Sequence, residues 1–228
     1  MEIIRRPSSD VDTLEGAIRH MLSVCNALPG VAINAFTKKY GKMHGHNLPN
    51  DFGTNVVMRQ LIRGGWAFRT SEHLYSLNPL LRSNQKGIDA FWIFMEHMQD
   101  VDLATVYKPQ FGELCYIKNN RIYTIIRCKG NGEKELAMAA QRELARIRHM
   151  KNKPKDKLPD ERFFFIFSSK TAMANAPFLL KTPSLYCCIK YDSQWVPEIF
   201  FADPVQIRGM ILFIDPPLFQ GVEQRVIR

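Results

Sequence analysis

The chain lacks a run of apolar residues long enough to span a membrane, and its first residues, Met-Glu-Ile-Ile-Arg-Arg-Pro, lack the apolar stretch of a secretion signal. Both absences predict a cytoplasmic protein. The cysteines are odd in number, lie within apolar runs and never show the paired spacing of zinc ligands, which argues against a disulfide framework and against a metal site. We therefore expect small core residues at Cys25, Cys115, Cys128, Cys187 and Cys188.

Patterns that indicate catalysis are also scarce. The glycines at 64–65 and 130–132 lack the spacing and the following Lys-Ser or Lys-Thr of a phosphate loop. The sequence Ser168-Ser169-Lys170 follows a strand-like run, where we expect it to cap the next helix and not to act as a serine with a lysine base. The Asp-Pro pairs at 203–204 and 215–216 are read as turn signals before they are considered as catalytic acids. The sequence thus predicts no catalytic residue, no cofactor and no metal.

Basic residues outnumber acidic ones, most clearly in the N-terminal part of the chain. The 228 residues carry a formal charge of +9, with a pI of about 9.4. Residues 1–86 contain eleven basic and six acidic side chains and so supply five of the nine net charges. This gradient favours a polyanionic partner for the N-terminal part, although solubility alone can also explain basic charge.

The N-terminal part has the element order of a winged helix. Apolar residues at three- and four-residue spacing predict helices over residues 11–27, 31–40 and 50–63, with Asp12 or Thr13 capping the first helix. In the third helix the predicted inward stripe is Val57, Met58, Leu61 and Ile62. Residues 66–77 then predict a hairpin with a polar tip, the wing. We place the end of this domain at residue 83, so that residues 84–228 form the second domain.

A winged helix suggests DNA binding through its third helix. In helix-turn-helix docking, residues near the start of that helix meet base edges while neighbouring basic groups hold phosphates. Asn55 and Arg59 are the candidates for reading bases. The full predicted DNA-binding set is Lys38, Lys39, Lys42, Thr54, Asn55, Arg59, Arg63, Arg69 and His73. The alternative is a winged helix that is only structural and mediates protein contacts.

The second half predicts a mixed α/β domain. An aromatic helix starts near Gly87 and is expected to be well buried, either opening the second core or stapling the two domains together. A hairpin over residues 113–128 turns at Asn119-Asn120, and a long helix over residues 133–150 follows with Leu136, Ala139, Ala140, Leu144 and Ile147 inward. Further elements are a strand at 162–167, a short helix at 171–179 and a strand at 185–189. The runs at 195–201 and 209–214 are either two more strands or a strand and a short helix. Helices interleaved with buried strands indicate layered α/β structure.

The far end of the long helix is strongly basic. Two explanations remain open for this run: a second nucleic-acid contact, or a solvated helix end whose cations suit the C-terminal dipole. The residues concerned are Arg142, Arg146, Arg148, Lys151, Lys153, Lys155 and Lys157.

The order of a winged helix, an aromatic helix, the hairpin Glu-Leu-Cys-Tyr-Ile-Lys-Asn-Asn-Arg-Ile-Tyr at residues 113–123, a long helix and a hydrophobic strand resembles the replication-relaxation type of protein from plasmids and integrative elements of Gram-positive bacteria. This resemblance implies a winged helix joined to a restriction-endonuclease-like domain that acts in replication or mobilisation of the element. The catalytic form of that core needs acids on both hairpin strands to hold a divalent metal. Here Glu113 stands at the first strand and residues 122–128 contain no acid, so the resemblance implies a degenerate core.

The sequence therefore favours a non-enzymatic protein of a mobile element that binds double-stranded DNA, as a replication or mobilisation accessory or a transcriptional regulator. The expected partners are DNA and either a second copy of the chain or a replication protein, with no membrane. One alternative is a metal-dependent nuclease that draws its acids from Glu113 and Asp89. The other is the protein-interaction module with a structural winged helix.

Overall fold

The computed structural model describes residues 10–70, 73–81, 85–153, 158–177, 180 and 184–202. These residues form a mixed α/β structure with two β-sheets. The helices are α1 (Leu14–Cys25), α2 (Gly30–Met43), α3 (Arg59–Arg63), α4 (Gln85–His97), α5 (Glu133–Asn152) and α6 (Lys170–Ala174), with a π-helical segment at Gly53–Met58 that leads into α3. The strands are β1 (Ala27–Pro29), β2 (Phe68–Arg69), β3 (Leu74–Ser76), β4 (Leu114–Lys118), β5 (Arg121–Arg127), β6 (Asp160–Phe167), β7 (Ser184–Tyr191) and β8 (Pro197–Ala202).

The first helix has one of the two caps that the sequence predicts, but it begins at Leu14 and not at residue 11. Thr13 caps α1, because its side chain accepts a hydrogen bond from the Gly16 backbone N–H at 3.1 Å. The end of the helix was predicted wrongly at residue 27. The chain leaves α1 at Asn26, whose φ of 64° is left-handed, and Ala27–Pro29 then pairs with β3 as a strand. Ala27, which was predicted as the last residue of the helix, is in fact the first of the three buried residues of β1.

The three strands of the first sheet are antiparallel in the order β1-β3-β2. The predicted hairpin is present as β2 and β3, and the two residues before β2 differ in burial. Ala67 is buried, whereas 56 % of Trp66 is exposed and its ring lies beneath the Arg19 guanidinium, 4.4 Å from the ring centroid. The cation covers part of the indole at the surface, which lets the small alanine occupy the inward position.

The second and third helices hold each other closely. The third helix, here the π-helical segment together with α3, ends at Arg63 before Gly64-Gly65 as predicted, and Gly65 has a φ of 72°. A Cβ at Gly53 would lie 2.5 Å from Thr37 Oγ1, so only glycine permits this approach to α2. Ile62 was placed in the inward stripe incorrectly: it is 38 % exposed, because the π-helical segment rotates the following residues relative to an ideal α-helix.

The aromatic helix α4 is the centre of the molecule. Ten of its thirteen residues are buried, which confirms the expected burial. It packs against α1 and β1 on one side and against β4, β5 and β6 on the other, and one hydrophobic cluster runs from Ala17 to Phe201 through it. This helix therefore joins the two sheets, and its apolar face is already covered within the chain.

The second sheet has the order β4-β5-β6-β7-β8. Strands β5, β6 and β7 are parallel, with α5 and α6 in the connections, and the edge strands β4 and β8 pair antiparallel. Asn119 and Asn120 have φ angles of 50° and 56°, which confirms the predicted tight turn between β4 and β5. The predicted mixed α/β class is thus observed.

Helix α5 meets the sheet mainly through its first half. Leu136 and Ala139 are buried as predicted, but Leu144 is 52 % exposed, and Ala140 and Ile147 are only half-buried. The buried residue near that position is Glu143. The predicted inward stripe is therefore wrong beyond Ala139, because the second half of the helix passes away from the apolar cluster under its start.

The short helix after β6 is also shorter than predicted. It ends at Ala174 and not at residue 179, because the residue before Pro177 is disfavoured in helical conformation. The strand predicted at 209–214, the Asp-Pro turns, and Lys155 and Lys157 lie outside the described residues. All five cysteines are buried, as expected, and burial raises the pKa of Cys115 to about 11. None of the helices in the described part of the chain combines the length and apolar character needed to cross a membrane.

Candidate nucleic-acid interface

The outer face of the third helix is polar and accessible. Asn55, Arg59 and Arg63 are exposed, as expected for side chains opposite the inward stripe, whereas Thr54 is half-buried. Thr54 and Asn34 of α2 hold each other by two hydrogen bonds: the Thr54 backbone N–H donates to Asn34 Oδ1 at 2.9 Å, and Asn34 Nδ2 donates to Thr54 Oγ1 at 3.2 Å. These bonds fix the start of the third helix against α2, so the exposed side chains project from a rigid base.

Asn55 makes one local contact. Its side-chain amide donates to the carboxylate of Asp51, one turn earlier in the chain. The amide nitrogen has a second proton and the carbonyl oxygen can still accept, which are the two groups that a bidentate contact with adenine needs. Asp51 therefore orients the side chain without using up its hydrogen-bonding groups.

A cavity of about 610 Å³ lies beside this helix face. Its walls come from the start of α2, the third helix, the β2–β3 hairpin and the turn between β7 and β8. The residues that line it are Pro29, Gly30, Val31, Asn34, Thr54, Asn55, Arg59, Ile62, Arg69, His73, Tyr75, Ser193, Gln194 and Trp195. Two arginines and a histidine are among them, and no acidic residue belongs to this described lining. The cavity is thus suited to an anion.

The structure brings five of the nine predicted DNA-binding residues to this cavity and leaves four elsewhere. Thr54, Asn55, Arg59, Arg69 and His73 line it, although they come from two separate segments of the sequence. The remaining four, which do not line it, are Lys38, Lys39, Lys42 and Arg63.

Among those four, the lysines of α2 differ in their surroundings. Lys38 is exposed and donates to Asn50 Oδ1 at 2.8 Å, and Lys42 is exposed. Lys39 instead donates to the carbonyl of Met95 near the end of α4, where a cation suits the helix dipole, and burial lowers the pKa of its ammonium while Glu96 opposes that shift. The structure therefore gives Lys39 a role in joining α2 to α4.

The turn from Asp192 to Val196 is the part of the cavity that the sequence did not predict. Asp192 Oδ1 accepts from the backbone N–H groups of Gln194 at 2.8 Å and Val196 at 2.9 Å, and Trp195 has a φ of 64°. Trp195 was predicted as the first residue of a strand, but β8 begins at Pro197. The run Asp-Ser-Gln between an apolar strand and Pro197 is an Asx-turn signal that could have located this turn.

The basic end of α5 is partly neutralised within the chain. Arg142 lies 3.0 Å from Glu161 Oε1, and Arg146 lies 3.3 Å from Asp160 Oδ1. These pairs attach α5 to the start of β6. Lys151 and Lys153 are exposed at the end of the helix. Arg142 and Arg146 thus have structural partners within the chain, and the pairing does not decide between a nucleic-acid contact and a solvated helix end for this run.

The acids considered for a nuclease are engaged in other contacts. Asp89 pairs with Arg127 and accepts hydrogen bonds from Gln85 and Tyr191, both at 2.7 Å. Glu113 lies 3.9 Å from Lys86. Within the ranges that the structure describes, no three His, Cys, Asp or Glu side chains come close enough to share a metal ion.

Comparison with family models, with curated proteins and with solved structures finds no match to this chain.

Proposed function

We propose that residues 10–81 form a winged helix that binds double-stranded DNA. The observation that carries this proposal is the arrangement of the third helix beside the β2–β3 hairpin, with Asn55, Arg59, Arg69 and His73 gathered along one face and no acid in the described cavity lining there. The element order of helix, strand, helix, helix and hairpin, with a sheet in the order β1-β3-β2, supports the same assignment.

In this docking the third helix enters the major groove. Asn55 and Arg59 face base edges, and the hairpin places Arg69 and His73 along the adjacent backbone. Lys38 and Lys42 lie on the exposed surface of α2 and supply phosphate contacts. Base contacts carry specificity and phosphate contacts carry salt-dependent affinity, so the two groups of residues are separable by experiment.

The wider role rests on the resemblance. The order of elements supports a cytoplasmic protein of a mobile element, active in its replication, mobilisation or regulation, with a degenerate restriction-endonuclease-like domain and no catalysis of its own. A second copy of the chain or a replication protein is the partner that this role implies. Asp89 favours the non-enzymatic form, because its carboxylate already has three donors within the chain.

The test is fluorescence anisotropy of the full chain with labelled duplex DNA across a salt series. Each phosphate contact contributes a slope of about −0.9 to log K against log salt, so about four contacts predict a steep fall in affinity. A site selected from random sequence then separates the roles. Arg59→Ala should weaken the selected site by about tenfold or more beyond its effect on random duplex, whereas Lys38→Ala should weaken both equally and lower the salt slope by about one.

Lys134→Ala is the matched control, because it removes one positive charge from an exposed position on α5 that does not line the cavity. This variant should bind as the parent does. Negligible or salt-independent binding of the parent would refute the proposal, and equal losses from Arg59→Ala and Lys134→Ala would refute the assignment of the face.

A further inference from the structure

The cavity beside the third helix has the size of a small-molecule site. Its volume of about 610 Å³ falls within the range of roughly 300–1,000 Å³ that is usual for such sites. A DNA duplex cannot enter it, since the major groove alone is about 12 Å wide. Duplex DNA can meet only the outer side of the same residues, so any ligand of the inner space is smaller than a duplex.

The charge of the walls selects an anion. Arg59 projects from the third helix, and Arg69 and His73 come from the hairpin. Arginine presents planar pairs of N–H donors that match a phosphate, and it keeps its charge at any physiological pH. No carboxylate is among the described lining residues.

The remaining wall of the cavity is aromatic and suits a ligand with a flat ring. Tyr75 and Trp195 both line the cavity, from β3 and from the β7–β8 turn. Trp195 is held in place from two sides: its turn is closed by Asp192, and its ring lies 5.6 Å from that of Tyr191. Tyr191 in turn donates to Asp89 of α4 at 2.7 Å. An indole fixed in this way at the edge of a polar cavity is a stacking surface for a heteroaromatic base.

We propose that this cavity binds a free nucleoside phosphate, with the phosphate held by Arg59 and Arg69 and the base against Trp195. The proposed function assigns Arg59 and Arg69 to DNA as well, so the nucleotide and the duplex compete for the same guanidinium groups. The competition, but not the nucleotide binding itself, rests on that proposed function. Nucleotide binding therefore releases the protein from DNA.

Tryptophan fluorescence of the full chain reads the site directly. The chain has three tryptophans, of which Trp66 and Trp92 do not line the cavity. AMP is the probe, and we expect saturable quenching. Trp66→Phe should keep this quenching, whereas Trp195→Phe should remove it while calorimetry still detects binding, because phenylalanine also stacks on a base.

Charge and ring are then tested separately. Arg59→Gln and Arg69→Gln should each weaken AMP binding by about tenfold or more, and Lys134→Gln should leave it unchanged. Adenosine alone and inorganic phosphate alone should each bind more weakly than AMP. Circular dichroism and the unfolding midpoint confirm that each variant is folded.

Competition completes the experiment. AMP should displace labelled duplex, with an inhibition constant equal to its directly measured Kd. Absence of quenching and of heat with AMP up to about 5 mM, with duplex binding intact, would overturn the nucleotide proposal alone. Binding of AMP without any duplex binding would overturn the DNA proposal alone. Binding of a short single-stranded oligonucleotide but not of AMP would also overturn the free-nucleotide assignment.

Discussion

The protonation of His97 should control how this protein responds to acid. His97 is the last residue of α4, is 5 % exposed, and shares a hydrogen bond of 2.5 Å between its Nδ1 and the Tyr116 hydroxyl. Burial, and to a smaller extent the nearby charges of Lys118 and Lys39, lower the pKa of its imidazole to about 3. The folded protein thus keeps His97 neutral in a range of pH where the unfolded chain protonates it.

The sign and size of the effect follow from linkage. The unfolded pKa is 6.5 and the folded pKa is about 3, so stability is fully present above pH 6.5 and falls as pH is lowered towards 3. Each pH unit within that window costs about 1.4 kcal/mol of unfolding free energy. Between pH 7 and pH 5 this one side chain should therefore remove about 2 kcal/mol.

Urea unfolding at pH 7, 6 and 5, followed by tryptophan fluorescence, measures this loss. His97→Gln is the control variant, because glutamine does not titrate and can still bond to the Tyr116 hydroxyl. Its baseline stability can differ, but its dependence on pH should be smaller than that of the parent by about 2 kcal/mol over the same range. His20, whose pKa is also lowered by burial, contributes equally to both proteins. Parallel curves for parent and variant would refute the argument.

Three further predictions concern the stability of the fold. Asp89→Ala removes the buried carboxylate that accepts from Gln85 and Tyr191 and pairs with the partly exposed Arg127, and it should lower the unfolding free energy by about 1–3 kcal/mol. No measurable loss would contradict the structural role of this carboxylate. In the same denaturant experiment, Leu136→Ala should lower the unfolding free energy by about 2–5 kcal/mol and Leu144→Ala by less than about 0.5 kcal/mol, because only Leu136 is buried. Equal losses would disprove the observed packing of α5 against the sheet. Asn120→Ala should destabilise the protein by about 1 kcal/mol and so lower its thermal midpoint, because alanine is strained at the positive φ of this turn. Asn120→Gly should not lower the midpoint. The reverse order of the two variants would exclude the tight turn.

Local signals in the sequence predicted much of the fold. Thr13 as a cap, Gly64-Gly65 as a helix stop and Asn119-Asn120 as a hairpin turn are each determined by residues within one turn of the chain. Strands β6 and β7 are buried over most of their length, so they read as apolar runs and were also found, and β5 was found as a partner in the hairpin. These features need no knowledge of distant contacts.

Features that depend on distant partners were missed. Strand β1 is three residues long and exists only because it pairs with β3, about fifty residues later in the chain. Leu144 fits a helical apolar stripe, yet nothing local shows that α5 leaves the sheet after its first half. Trp195 was predicted as a strand residue because the hydrogen bond from the Val196 backbone N–H to Asp192, which closes its turn, was not recognised. Half of the candidate site was therefore predictable, since the polar face of the third helix is a local pattern and the opposite wall is not.

The cavity is built from distant parts of the chain, which determines the form of the protein that has to be used in binding measurements. Its walls extend from Gly30 to Trp195, and α4 ties the two ends together through the pair of Asp89 with Tyr191. A fragment of residues 10–81 would keep Arg59 and Arg69 but would lose Trp195, and it would expose the surfaces of α1 and β1 that pack against α4. DNA binding by such a fragment would report on the outer face alone. Because the second wall of the site is the β7–β8 turn, nucleotide binding has to be measured on the full chain.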